Sequence, residues 1–164
     1  MAFIDDRLLD VDKHGSLRVP AVLWVGLAIL CRYWILVVVV FATARRSPDV
    51  VRVLGDGFSW YFLLLEIPAI LVLLAAARRL PEAGQPWRWL WRNARVLIAC
   101  AVLAHLGATA WLFWTADVWR RWPELFLASC NLFDLAVLTS VLRDDYYRRL
   151  FADFPARPPV ETPP

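Results

Sequence analysis

Arg32, Glu66, His105 and Asp134, with Asn131 one helical turn before Asp134, are the residues of this chain best equipped for chemistry, and all five interrupt long apolar runs. A guanidinium, two carboxylates, an imidazole and an amide can pair as ions, share hydrogen bonds or pass protons. Such groups are costly in an apolar setting. At a bilayer centre one charge costs about 2.5–3.5 kcal/mol, against about 0.3–0.6 kcal/mol gained from each Leu, Ile, Val or Phe. Side chains retained at that cost hold helices together or move charge.

The runs that carry them are Val19–Ala44, Phe58–Ala77, Val96–Trp114 and Leu125–Leu142. Crossing a membrane takes about 20 mostly apolar residues rising about 1.5 Å each, so each run is read as a span. With that rise, Glu66, His105 and Asp134 fall roughly 12–14 Å from a span end and Arg32 roughly 18 Å from Ala44, all near mid-depth. The first run contains Ala42-Thr43-Ala44, a small-x-small pattern. It is nevertheless too long for a signal peptide and follows acidic residues rather than a basic region, so it too reads as a span.

Composition agrees. The 164 residues are 60% hydrophobic and 20% charged, whereas soluble domains average about 45–50% apolar and about 25% charged. The expected fold is all-α: a polytopic integral membrane protein of four transmembrane helices, with short loops and interfacial helices. Residues 1–18 form an N-terminal segment, 78–95 a loop, and 143–164 a helix followed by a Pro-rich tail. Twelve of the Lys and Arg residues outside the spans fall in these three segments, and five in the other two loops. Basic residues stay on the cytoplasmic side, so both termini and loop 78–95 are expected there. The net charge of +3 is then a matter of orientation and anionic lipid rather than nucleic acid.

Loop 78–95 turns helical after Pro81, Gly84 and Pro86. Trp87, Leu90 and Trp91 fall on one face, with Arg88, Arg92 and Arg95 on the other. This pattern suits anchoring at the lipid interface, with selective binding of an anionic lipid as an alternative. Ser47-Pro48-Asp49 to Gly55-Asp56-Gly57 predicts a short surface helix. After the fourth run, acid-first pairs Asp144/Arg148 and Asp145/Arg149 support a helix. Its Tyr147, Phe151 and Phe154 stripe is expected to rest on lipid.

For the central residues the simplest reading is mutual pairing: Arg32 with Glu66 across the first hairpin, His105 with Asp134 across the second, and Asn131 completing the hydrogen bonds. A proton or substrate path is the sharper alternative. A metal site from Glu66, His105 and Asp134 would lack any spaced ligand motif. Cys31, Cys100 and Cys130 make no C-x-x-C and read as packing residues. No phosphate loop, H-E-x-x-H or G-x-S-x-G is present, and neither enzyme chemistry nor a cofactor is expected.

Asp12-Lys13-His14-Gly15-Ser16-Leu17-Arg18-Val19-Pro20, Cys31-Arg32-Tyr33-Trp34, Pro68 and the closing Phe151-Ala152-Asp153-Phe154-Pro155 resemble the YfeZ-like family of bacterial inner-membrane proteins of unknown function. The resemblance covers roughly residues 10–155. It implies an inner-membrane location and transfers no activity. The leading expectation is a small structural or accessory protein surrounded by membrane lipids, with a membrane-protein partner or a second copy of itself. The alternative is a small oligomeric proton-coupled transporter using Glu66 and Asp134.

Overall fold

The first apolar run folds as two helices. The computed structural model describes residues 10–12, 15–44, 61–115 and 122–156. In it α1 (Ala21–Leu30) and α2 (Arg32–Ala44) meet at Cys31, bent by 71°. Neither Pro nor Gly stands between Leu30 and Trp34, so the bend has no local cause. The second run is divided too, into α3 (Tyr61–Leu65) and α4 (Ile67–Ala77), with Glu66 at the joint. Here Pro68 contributes, because it lacks an N–H and its ring crowds the carbonyl of Leu64. There follow α5 (Gln85–Arg92), α6 (Ala94–Thr115), α7 (Trp122–Arg143) and α8 (Asp145–Ala152). Among the described residues, the structure beyond these helices includes one isolated bridge, Val11 with Leu17.

Among the described residues, only α6 is by itself long and apolar enough to cross a membrane, and α1 with α2 makes a second candidate if the bent pair is one span. α7 matches α6 in length at 22 residues but carries Asn131 and Asp134. The 11 residues of α4 extend about 16 Å, roughly half a hydrocarbon core. The most apolar stretch of α6 is only 22% buried, and Leu103, Trp111 and Trp114 stand 62–88% exposed. A core helix of a soluble domain would have that surface covered.

α1, α4, α6 and α7 pack together around Leu23, Leu27, Val72, Ile98, Val102 and Val141. Gly26 permits a close approach: a Cβ there would lie 2.9 Å from Cγ1 of Val137 on α7. Small residues at helix crossings serve this purpose where packing must supply the attraction.

α5 and α8 pack on each other at one end of the bundle. This differs from the expected interfacial arrangement. Trp91 is fully buried, edge-on to Phe151 at 5.0 Å, and Tyr147 and Leu150 are buried with it. The two apolar stripes expected on lipid cover one another instead. Trp87 is half-buried, with the Arg78 guanidinium 5.7 Å from its ring. Arg88 turns inward onto the carbonyls of Pro81, Ala83 and Pro155. Arg95 belongs to α6 and donates to the carbonyls of Val141 and Leu142 at the end of α7. Arg92 and Trp89 remain exposed. At the start of α8, Asp144 accepts the Tyr146 N–H at 2.9 Å, and Arg148 pairs with Asp145 three residues away rather than with Asp144. The surface helix expected at 47–57 and the tail beyond 156 lie outside the described residues.

Candidate functional site

The bend at Cys31 and the joint at Glu66 hold each other. In a continuous helix the N–H groups of Tyr33 and Trp34 would bond the carbonyls of Ile29 and Leu30. Here both donate to the Glu66 carboxylate, Tyr33 to Oε1 at 2.9 Å and Trp34 to Oε2 at 3.1 Å. A side chain inserted into the helical ladder is a recognised cause of a sharp bend, and a carboxylate at a helix N-terminus also meets a favourable dipole. In return the Trp34 indole N–H donates to the Leu63 carbonyl at 3.0 Å, just before the break in the second run. Glu66 is fully buried, so its negative charge is met by backbone amides rather than water.

Arg32 leads α2 and completes the joint. Its Nη1 donates to Asp134 Oδ2 at 2.8 Å and to the Ile29 carbonyl at 3.2 Å. Its Nη2 donates to Asn131 Oδ1 at 3.0 Å, and Asn131 in turn donates to Thr109 Oγ1 at 2.6 Å. Arg32 therefore pairs with Asp134 on α7, not with its hairpin neighbour Glu66. The exchange follows from the bend, which commits Glu66 to the amides of α2 and turns the guanidinium toward α7.

His105 is buried on α6, with Nε2 3.6 Å from Glu66 Oε1, just beyond hydrogen-bond reach. Its Nδ1 lies 3.1 Å from the Ala101 carbonyl. A carbonyl only accepts, so Nδ1 carries a proton, and a neutral ring would turn a lone pair toward the carboxylate. Tyr33 stacks between Phe62 at 4.6 Å and His105 at 6.3 Å. Arg32 Nε, Asp134 Oδ1 and His105 Nε2 are buried without hydrogen-bond partners. Among the described residues no three His, Cys, Asp or Glu side chains converge as metal ligands. Cys31 is buried at the bend, Cys100 is exposed and Cys130 is half-buried.

A second polar cluster, at the α5–α8 end, was not legible as a site. Arg79 is buried and donates to the Leu17 carbonyl, to the Asp153 carbonyl at 3.1 Å and to Asp153 Oδ2 at 3.2 Å. Asp153 Oδ2 also accepts the Leu17 N–H at 2.7 Å. The Arg79 guanidinium lies 5.2 Å from the Trp91 ring, and the Trp91 N–H donates to the carbonyls of Leu150 and Asp153. Tyr146 Oη donates to the Arg18 carbonyl at 2.5 Å. Burial pushes the Arg79 pKa down, and the Asp153 carboxylate opposes that shift. The Leu17 segment is shaped by Gly15 at φ +71° and by Asp12 accepting from the Ser16 N–H and hydroxyl. The sequence signal lay in the motifs at the two ends of the chain, which meet on Arg79.

A family model described as "Protein of unknown function (DUF2919)" matches residues 7–153. Inner membrane protein YfeZ of Escherichia coli (strain K12) is 32% identical over 106 residues, 63% of this chain and 65% of that protein. The match thus spans just under two thirds of that relative's length. No solved structure matches the chain. The chain belongs to the DUF2919 family of proteins of unknown function.

Proposed function

We propose that this chain is a four-pass protein of the bacterial inner membrane with an accessory, structural role, presenting a rigid helical surface to a partner protein or to a second copy of itself. The first pass is the bent pair α1–α2, the second α3–α4, and α6 and α7 are the others. Both termini and loop 78–95 face the cytoplasm. That orientation is supported by Arg79, Leu17 and Asp153 meeting at one end of the bundle, which is also the end richest in basic residues.

The observation that carries the structural role is the commitment of Glu66. Both of its oxygens accept backbone N–H groups from the bent helix, so the buried charge maintains the fold. The apolar faces of α2 and α6, with Phe41 69% and Trp114 88% exposed, are left for lipid or a partner. Photo-cross-linking from Phe41 and Trp111 in native membranes is expected to capture one reproducible protein partner, self or non-self. Adducts with lipid alone would count against an accessory role.

A proton-coupled transporter is the second reading, favoured by the buried His105 imidazole standing 3.6 Å from the Glu66 carboxylate. In reconstituted vesicles it would appear as pH-driven flux abolished by Glu66→Gln. Flux unchanged in Glu66→Gln and Asp134→Asn would eliminate it.

A further inference from the structure

Beside the buried face of α5 lies an open groove of about 630 Å³, lined by Gln85, Arg88, Trp89, Arg92, Asn93 and Phe154 among others. We propose that it binds the phosphate of an anionic lipid headgroup on the cytoplasmic leaflet; this rests on the inner-membrane orientation above.

Among the described residues, no carboxylate lines the groove and two guanidinium groups do. Arg88 is held in place: Nε and Nη2 donate to the carbonyls of Ala83, Pro81 and Pro155, and its charge sits 4.6 Å from the Phe154 ring. Those contacts fix the guanidinium plane and leave Nη1 without a bonded carbonyl. A pre-organised guanidinium suits phosphate recognition because little side-chain freedom remains to be lost on binding. Arg92 is exposed and forms no ion pair or hydrogen bond among the described residues, so it is free to close on a bound anion. Gln85 and Asn93 also line the groove, with one Asn93 amide N–H already given to the Trp89 carbonyl.

The position of the groove favours a lipid over a soluble phosphate. Only Asn93 separates α5 from α6, and Val96, four residues beyond Arg92, is 62% exposed on the apolar helix. At about 1.5 Å per residue that places Arg92 roughly 6 Å outside the apolar surface, within a headgroup layer about 5–7 Å deep. Trp89, 61% exposed on the rim, fits the amphipathic interface.

The full-length protein in mild detergent is to be titrated with phosphatidylglycerol, phosphatidylcholine and inorganic phosphate, with bound lipid counted by native mass spectrometry. Phosphatidylglycerol is expected to bind selectively. Arg92→Gln is expected to weaken it about fivefold, while Arg143→Gln, at another exposed arginine, leaves it unchanged. Arg88→Gln also removes internal bonds, so Arg92→Glu serves as the second variant and should abolish selectivity. Equal binding of phosphatidylglycerol and phosphatidylcholine, or full binding by Arg92→Glu, would overturn the proposal. Inorganic phosphate that binds alone and displaces the lipid would assign the groove to a soluble anion and equally overturn it. Vesicle flotation of the same variants separates the two readings: loss of lipid selectivity with insertion intact concerns the groove, whereas failure of the wild type to insert concerns the membrane assignment.

Discussion

Arg32 with Asp134 and Arg79 with Asp153 are arginine–aspartate pairs in which one partner is buried, Asp134 in the first and Arg79 in the second; each guanidinium also bonds a backbone carbonyl, yet the pairs are assembled differently. The Arg32 pair lies among four helices, and its geometry depends on a bend that no local residue causes. The Arg79 pair lies at one end of the bundle, on segments shaped by a tight turn at Gly15 and a capped helix at Asp144. The central pair leaves Arg32 Nε and Asp134 Oδ1 without hydrogen-bond partners; in the end pair Arg79 Nε is left so, while the Leu17 and Asp153 segments are gathered onto it. Tertiary electrostatics reshapes helices in the first case, and local turn chemistry delivers partners to a waiting cation in the second.

The largest effects are expected at the central pair. Arg32→Gln or Asp134→Asn leaves an unpaired buried partner and should cost about 3–5 kcal/mol, seen as loss of the protein from membrane fractions. At the end pair, Arg79→Gln should cost less, about 1–3 kcal/mol. Its effect should be local: limited proteolysis is expected to cut near Leu17 and Asp153 while α6 stays protected. Global loss after Arg79→Gln would erase the distinction between the two regions. Gly26→Val overfills the contact with Val137 and should cost about 1–3 kcal/mol, read from the thermal midpoint in detergent. The smallest change is expected from Trp34→Phe, which removes one indole hydrogen bond, about 1 kcal/mol. An effect as large as that of Asp134→Asn would mean that the Leu63 carbonyl, not Glu66, sets the bend.

Helical character and the identity of the central residues were legible in the sequence because a charge inside an apolar run stands out. Their partners were not. Hairpin adjacency pointed Arg32 at Glu66, but adjacency along the chain carries no information about a ladder that opens at Cys31, where no Pro or Gly marks it. Pro68 did mark the second break. The covering of Trp91 was not legible, because the residue alone does not reveal that Phe151 and Leu150 fold back over it. Arg79 passed as one more cytoplasmic arginine because burial, not residue type, makes it a site. The motifs at the two chain ends carried that information without saying that they meet.

The most direct test of the account is a pair of double-mutant cycles on folded protein in membranes, Arg32→Gln with Asp134→Asn and Arg32→Gln with Glu66→Gln. The structure predicts strong coupling in the first, with the double variant recovering much of what each single loses, and clearly weaker coupling in the second. Stronger coupling between Arg32 and Glu66 than between Arg32 and Asp134 would contradict the bent-helix arrangement at its centre.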